Sequence, residues 1–358
     1  MSFVAIVDIG KLQVFDNVAG QHMVAVYRKA KDVEEFVYKR LLNDLHGINS
    51  KYDDESVSVR TLLNDSIITA SSEIRFEIDQ ILWRETIDLG EICEVSQGVV
   101  EAPDKLSRKH VENTNRQDVN VKDGVFVLTQ KEYTQMGFTK EEKQLIVPYL
   151  DPSDVQRFCI SPTVNKYLIY ADEAARGAIA TRKEYRFLKK HLDHFSEFIT
   201  SSNGPYGLHR PRQYRYFISP KILFKNMFVR PDFALDLEGH FVGFSFSCVI
   251  QKDKTLDLKY VLAVLNSSIG FYWFDINGKK RGAGVDIGVE KLRLFPIRRI
   301  SQEEQLKIIL LVDKVTAKKS THPQADTSVL EREIDRLVYR LYDLTPAEID
   351  IVEASVRK

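Results

Sequence analysis

The apolar positions of this chain change period along its length, and the changes mark its elements. Residues 3–7 and 22–28 are apolar, β-branched runs that predict strands, joined by a short link from Gly10 through Phe15 to Gly20. Residues 32–45 shift to helical spacing: Val33, Phe36, Val37, Leu41 and Leu45 share one face, and Gly47 ends the run. Residues 61–81 give a mixed signal, with short strand-like stretches around Ile67 and Phe76.

A second unit opens near Leu89. Residues 89–98 predict a strand that leads into a glycine turn at Gly98, and residues 125–128 a short strand after the Asp123-Gly124 turn. Thr139-Lys-Glu-Glu142 is a capping box, so a helix starts there and stops before Pro148. Residues 167–170 predict a strand and residues 182–200 a helix, broken by Ser201-Ser-Asn-Gly-Pro205. Residues 221–224 and 241–250 predict strands, and residues 256–265 a helix that ends at Asn266-Ser-Ser.

The last sixty or so residues are helical in pattern. Ser301-Gln-Glu-Glu304 is a capping box, and Ile308, Leu311, Val312 and Val315 line one face behind it. A polar linker over residues 320–327 precedes a second apolar stripe: Val329, Leu330, Ile334, Leu337, Val338 and Leu341. Thr345-Pro346-Ala-Glu348 supplies an N-cap, a proline at the first helical position and a glutamate at the third. The sequence holds no internal repeat and no low-complexity tract.

With 358 residues, 44% hydrophobic and 28% charged, the chain has the balance of a soluble globular protein of two or three domains. No apolar run nears the ~18 residues of a membrane-spanning helix, so no membrane is expected as partner. Cys93, Cys159 and Cys248 are scattered, which predicts free thiols and a cytoplasmic setting rather than a disulfide framework. His191, His194 and His209 have no further ligand at metal-site spacing, so no metal is expected. Met-Ser-Phe-Val-Ala-Ile-Val-Asp starts as if inside a strand and is no signal peptide, so the chain is expected to be cut from a longer one or to be a split product.

Charge changes the picture. Between Arg176 and Arg230 twelve Lys/Arg face three Asp/Glu, in a chain whose formal net charge is zero. Ten Tyr and Phe, from Tyr185 to Phe228, are interleaved with them. Cations that neutralise phosphates, alternating with flat rings, fit a nucleic-acid surface. A solvated helix face with core aromatics is the alternative reading of the same stretch. The first hundred residues are the reverse, with 17 acids against 10 Lys/Arg, and do not read as a phosphate-binding surface.

Motifs for catalysis are sparse. Pro231-Asp232 with Asp257-Leu-Lys259 fits the PD…(D/E)xK nuclease pattern, in which two carboxylates hold Mg²⁺ and a lysine positions water. However, Asp257 opens a predicted helix, whereas that motif lies on a strand. Asn203-Gly-Pro-Tyr206 is similar to the Asn-Pro-Pro-Tyr of DNA aminomethyltransferases, but glycine replaces the first proline and no strand precedes it. It reads as a turn. No glycine-rich strand–turn–helix for S-adenosylmethionine and no nucleophilic triad is legible.

Several blocks, taken in order, resemble one family. They are residues 89–98 (LGEICEVSQG), 146–158 (IVPYLDPSDVQRF), 167–170 (YLIY), 206–212 (YGLHRPR), 220–223 (PKIL), 262–267 (LAVLNS), 295–297 (FPI) before Ser301-Gln-Glu-Glu-Gln305, and 334–344 (IDRLVYRLYDL). The chain resembles the C-terminal target-recognition region of TaqI-type adenine-specific DNA methyltransferases and of single-chain type IIG restriction–modification enzymes, over roughly residues 85 to 345. The first eighty or so residues resemble the end of that family's catalytic domain. The family's cofactor and Asn-Pro-Pro-Tyr motifs have no counterpart here.

The resemblance implies a mixed α/β fold in three parts: a remnant of the methyltransferase sheet over residues 1–84, a curved recognition domain over 85–300, and a helical unit over 301–358. It implies sequence-specific binding of double-stranded DNA on behalf of a methyltransferase catalytic domain, in cis or in trans. No cofactor is implied in this chain; S-adenosylmethionine belongs to the parent enzyme, with Mg²⁺ if the parent also cleaves. No catalytic residue is implied here. Phosphate contacts are expected from Arg182, Lys183, Lys189, Lys190, Lys279, Lys280 and Arg281. Base edges are expected to meet Arg210, Arg212 and Arg215, since a guanidinium can make paired bonds to guanine, with Tyr206, His209 and Gln213 behind them. Arg210 and Arg212 read equally as struts that hold a long loop. Three alternatives stay open: a standalone specificity subunit, a nuclease using Asp232, Asp257 and Lys259, and a non-DNA interaction protein.

Overall fold

The computed structural model describes Leu82, residues 84–282 and 284–356, and the backbone of four strands before them. Those strands, Ser2–Gly10, His22–Arg28, Glu35–Leu41 and Tyr52–Ser58, form one sheet. His22–Arg28 and Glu35–Leu41 flank Ser2–Gly10, the first antiparallel and the second parallel, and Tyr52–Ser58 forms the far edge. The two strands predicted at the start are therefore present. The helix predicted over residues 32–45 is not. Residues 35–41 pair on both sides, Ala5 opposite Val37 and Glu35 opposite Ser58. Ladders on two edges satisfy the backbone and outweigh a helical spacing built on five residues. The readings at residues 61–81 lie outside the described residues.

The rest is a mixed α/β fold of several small sheets closed by C-terminal helices. Its organising element is an antiparallel sheet in the order Ala234–Asp236, Lys221–Lys225, Phe246–Gln251, Cys93–Gln97. The two central strands are apolar almost without interruption, the pattern of a sheet buried on both faces. Ile222, Phe224, Val249 and Val95 enter one core with the helices Leu258–Asn266 and Ser268–Asn277 and the C-terminal helices. Leu223, Phe246 and Cys248 enter a second core with another sheet. That sheet runs Phe241–Val242, Ile146–Leu150, Lys166–Ile169, Val127–Thr129. Adjacent residues of one strand thus serve different cores, as period two dictates.

Several boundaries move from their predicted places. Residues 89–98 divide into a helical turn, Leu89–Ile92, and the strand Cys93–Gln97. The helix predicted over 182–200 shrinks to Arg186–His194, flanked by the short 3-10 turns Lys183–Tyr185 and Ser196–Phe198; an unpredicted helix, Glu173–Thr181, precedes it, with Arg182 extended between the two at φ −100° and ψ 136°. The second start is set at a distance. The buried Glu142 carboxylate accepts the Phe187 and Leu188 N–H groups at 2.7 and 2.9 Å, capping that helix from another element. The helix Ser268–Asn277, capped by Ser267, follows directly where an end was predicted. By contrast, the Thr139 and Ser301 capping boxes form, and the helices Gln302–Thr321, Ser328–Leu341 and Pro346–Val356 lie where their stripes placed them.

The C-terminal helices are pinned to the sheets by Arg157, which is largely buried. Its Nε donates to Glu331 at 2.6 Å, its Nη1 donates to the Pro231 carbonyl at 3.0 Å, and its own carbonyl accepts Lys319 Nζ at 3.1 Å. No helix among the described residues is long and apolar enough to cross a membrane.

The strand predicted over 241–250 is broken, and the break joins the two sheets. Phe241–Val242 belongs to one and Phe246–Gln251 to the other, with Gly243 between. At Gly243 a Cβ would lie 2.4 Å from Tyr149 Oη and 2.8 Å from Glu101 Oε1; at Gly98 it would lie 2.2 Å from the Gly243 carbonyl oxygen. The backbones pass here with no room for a side chain, and the Val99 N–H donates to the Val242 carbonyl at 2.9 Å. Behind them Glu101 is 3% exposed and accepts the Tyr149 hydroxyl at 3.0 Å. Burial pushes the Glu101 carboxyl up to about 7 from an ordinary 4.5, against opposing bonds from its own backbone and Tyr149.

Two outcomes follow. Gly98→Ala forces a methyl onto backbone, so it is expected to destabilise the chain by at least the ~1–3 kcal/mol of an overpacked site, read as a lower denaturant midpoint. An unchanged midpoint would show that the seam yields. For Glu101, the unfolded chain releases its proton first as pH rises. Its share of stability is full below about 4.5 and is lost by about 7. At ~1.4 kcal/mol per pH unit the loss is about 3 kcal/mol, and Glu101→Gln should remove that slope in denaturation curves taken across the window.

Candidate nucleic-acid interface

Residues 199–214 form a long loop over the junction of the two sheets, and main-chain bonds hold it. The Val100 N–H donates to the Arg210 carbonyl at 2.9 Å, and the Arg210 N–H returns a bond at 3.0 Å. Leu208 N–H donates to Ala171 at 3.0 Å and His209 N–H to the Glu101 carbonyl at 3.4 Å. Asn203 braces the turn from inside: its Nδ2 donates to the Leu208 carbonyl at 2.9 Å, and its Oδ1 accepts Arg176 at 3.0 Å. The Asn203-Gly-Pro-Tyr206 segment is therefore a braced turn, as read. Where the loop descends, Tyr214 packs against Tyr170 and Phe241, ring centres 5.2 and 5.3 Å away.

The loop ends on a buried charge. Lys221, fully buried, donates its Nζ to the Asp236 carboxylate and to the Phe217 carbonyl. Asp236 also accepts the His240 and Glu238 N–H groups at 2.9 and 3.0 Å. Burial alone would raise this carboxyl; the bonds from His240 and Lys221 hold it at about 2. A charge so placed persists only because every lone pair is answered. It fixes the helix Arg215–Ile218 to the sheet edge, and so fixes the loop's downstream end.

The arginines of the loop have different fates. Arg210 is exposed, with no side-chain partner among the described residues. Arg212 is half-buried. Its Nη2 donates to Gln97 Oε1 at 2.9 Å, its Nε donates to the Gly98 carbonyl at 3.4 Å, and its own carbonyl accepts the Tyr170 hydroxyl at 2.9 Å. Its φ of 60° lies in the left-handed region, a strained place for a side chain of this size. Burial first, and then the nearby Arg210 charge, lowers its pKa. Two guanidinium groups thus lie near each other with no carboxylate on either. Arg215 is paired: it grips both Glu94 oxygens at 2.9 and 2.5 Å and covers the Tyr216 ring at 4.7 Å. The hydrogen bond from Arg215 holds Glu94 at about 2.

The remaining candidates fall around this loop. Tyr206 donates to Asp193 at 2.5 Å, and Lys189 lies over the Tyr206 ring at 4.3 Å. His209 Nδ1 accepts from the Ser202 N–H at 3.3 Å, and Gln213 Oε1 accepts from Arg215 Nε at 2.9 Å. Arg182, Lys183 and Lys190 are exposed and make no ion pair among the described residues. Lys279, Lys280 and Arg281 form an exposed edge strand beside Gly284–Asp286, whose other neighbour is Met227–Phe228. In that strand Lys280 pairs with Asp275 and Arg281 with Asp286, the latter at 2.7 Å.

A chain of amides links the loop to the Met227–Phe228 strand of that sheet. Gln97, which accepts from Arg212, donates its Nε2 to the Phe244 carbonyl at 2.9 Å. The same carbonyl accepts Asn226 Nδ2 at 2.9 Å, and Asn226 precedes the Met227–Phe228 strand. Sequence reasoning missed Gln97, Asn226 and Glu101. Only Glu101 left a trace, as an acid inside the apolar run Val99-Val100-Glu101-Ala102-Pro103.

The nuclease pattern does not assemble on a strand. Asp232 pairs with Lys225; Asp257 caps the helix Leu258–Asn266 by accepting the Lys259 N–H at 2.7 Å; Lys259 pairs with Asp313 at 2.6 Å. Among the described residues no group of three His, Cys, Asp or Glu side chains could hold a metal.

Residues 147–297 match the family described as TaqI-like C-terminal specificity domain. No curated protein matches the chain. Among solved structures the chain is similar in fold to the type IIL restriction–modification enzyme MmeI in complex with DNA. The TM-score is 0.61 at 11% identity, over 99% of this chain and 45% of that one. Weaker overlaps are with the type IIG restriction endonuclease BpuSI (TM-score 0.42, 11% identity, 95% and 43% of the two chains) and the HsdS subunit from Thermoanaerobacter tengcongensis (0.31, 12%, 75% and 51%). The chain thus spans less than half the length of MmeI and of BpuSI. The family match falls on the loop, on three of the four strands of the two-sided sheet and on the basic strand, so residues 147–297 are similar to a TaqI-like C-terminal specificity domain.

Proposed function

We propose that this chain recognises a short sequence in double-stranded DNA for an adenine-N6 DNA methyltransferase or a type IIG restriction–modification enzyme. The catalytic domain acts in cis or in trans and brings S-adenosylmethionine, with Mg²⁺ if the parent cleaves. One observation carries the reading: Arg210 is fixed by a two-way backbone bridge, while its guanidinium stands free beside a second arginine that no acid neutralises. A rigid main chain presenting a free guanidinium suits paired bonds to guanine O6 and N7. Gln213, His209 and Tyr206 line the same loop as further base contacts. Arg212 acts by positioning, since its donors are committed to Gln97 and Gly98. Arg215, gripped by Glu94, contributes little charge.

Arg182, Lys183, Lys189 and Lys190 on one side, and Lys279, Lys280 and Arg281 on the other, hold the phosphates and set register. The DNA-bound state of MmeI, a protein of like fold, supports this reading. The three free, buried cysteines agree with a cytoplasmic setting.

Arg210→Ala is expected to weaken binding to the recognised duplex by ~1–3 kcal/mol and to relax the choice at one base pair, measured by selection from a randomised pool. Lys190→Ala should instead weaken binding to all sequences alike and lower the slope of log K against log salt by about one. Duplex binding by the unaltered chain that ignores salt would remove the reading.

A further inference from the structure

Between the strands Phe241–Val242 and Phe246–Gln251 lies an apolar tip that the proposed contacts leave unused. Phe244 is 58% exposed; nearby Met227, in the strand that Asn226 precedes, is 58% exposed and Val229, just beyond that strand, 67%. Single exposed apolar residues are ordinary. Phe244 differs in how it is held. Its carbonyl accepts two side-chain amides, from Gln97 and Asn226, each at 2.9 Å. Asn226 is itself fixed: its Oδ1 accepts the Ser247 hydroxyl at 2.7 Å, its N–H donates to Ser245 at 2.8 Å, and its carbonyl accepts the Ile287 N–H at 2.9 Å. On the other side Gly243 is wedged against Tyr149 and Glu101. An aromatic ring is thus presented to water on a backbone that cannot yield, with no hydroxyl to hydrate.

Its flanks are cationic. Through Gln97 it is one side chain from Arg212, which lies near the free Arg210; Asn226 leads into Met227–Phe228, and Gly284–Asp286 lies between that strand and Lys279–Arg281, of which Lys279 has no ion pair among the described residues. A surface with cations on two sides and an apolar tip between them matches duplex DNA, in which phosphates flank stacked bases. It matches a neutral protein groove poorly, because Arg210 and Lys279, which have no ion pair among the described residues, would be desolvated without partners.

We propose that Phe244 is an apolar wedge that enters a base step of the bound duplex and partly unstacks it, with Met227 beside it. The proposal rests on the duplex-DNA reading above. It adds a specificity-determining residue whose effect comes from how readily a step opens, since pyrimidine–purine steps yield more easily than others.

The test uses the full chain and a duplex that the unaltered chain selects from a randomised pool. A fluorescent adenine analogue is placed in turn at each step of that duplex. The unaltered chain is expected to raise the fluorescence at one step on binding. Phe244→Ala should abolish that rise and weaken binding to the selected duplex about tenfold, with binding to unrelated duplex at low salt unchanged. Phe244→Trp, which keeps a flat ring, should restore both. If Phe244→Ala binds and brightens the selected duplex like the unaltered chain, the wedge is wrong and the DNA reading stands. If the unaltered chain shows no salt-dependent duplex binding at all while Phe244→Ala loses binding to a protein partner, the DNA reading fails and the tip belongs to a protein interface.

Discussion

The candidate interface depends on one close approach, the passage of Gly98 against Gly243. Two sheets meet there backbone to backbone, with 2.2 Å from the place of a Cβ to the opposing carbonyl oxygen. Because nothing larger than hydrogen fits, residues 97–100 can bond in three directions. Val99 reaches Val242 of the second sheet, Val100 bridges Arg210 of the loop, and Gln97 reaches both Arg212 and Phe244. The loop, the apolar tip and the route to the basic strand are registered against each other by a segment of four residues. Glu101 pays for this geometry with a carboxyl buried where water cannot solvate it.

Charge is distributed by the same architecture. The basic stretch is less uniform in space than along the chain. Arg215, Lys189, Lys221 and Lys225 lie against Glu94, Asp193, Asp236 and Asp232. Arg182, Lys183, Lys190, Lys279 and Arg210 are exposed without an ion pair among the described residues. The unpaired cations are thus a subset, before the loop, within it and on the strand Lys279–Arg281. The aromatic residues divide likewise: Phe195, Phe217, Phe224 and Phe228 are buried in the cores.

Local chemistry was legible and remote chemistry was not. Capping boxes at Thr139, Ser301 and Thr345 act within four residues, so the sequence shows them whole. The apolar runs at residues 221–224 and 241–250 announced strands there, though not the break at Gly243. The Arg186 helix start was hidden because its cap, Glu142, lies more than forty positions away. The strand at residues 35–41 was hidden because its ladders come from both neighbours in space. At the interface, Arg210 could be picked out as a loop cation. That Arg215 is neutralised and Arg212 committed could not, since Glu94 and Gln97 stand over a hundred positions upstream.

A loop suspended by its main chain separates two kinds of evolutionary freedom. Asn203, Tyr170, Arg212 and Gln97 hold the loop, so drift at them would be felt as misfolding. Arg210 and Phe244 hold nothing with their side chains and can be exchanged while the scaffold stays intact. On the proposed reading, descendants of this chain can explore new target sequences by single steps, each still folded, without first repairing the framework that presents them.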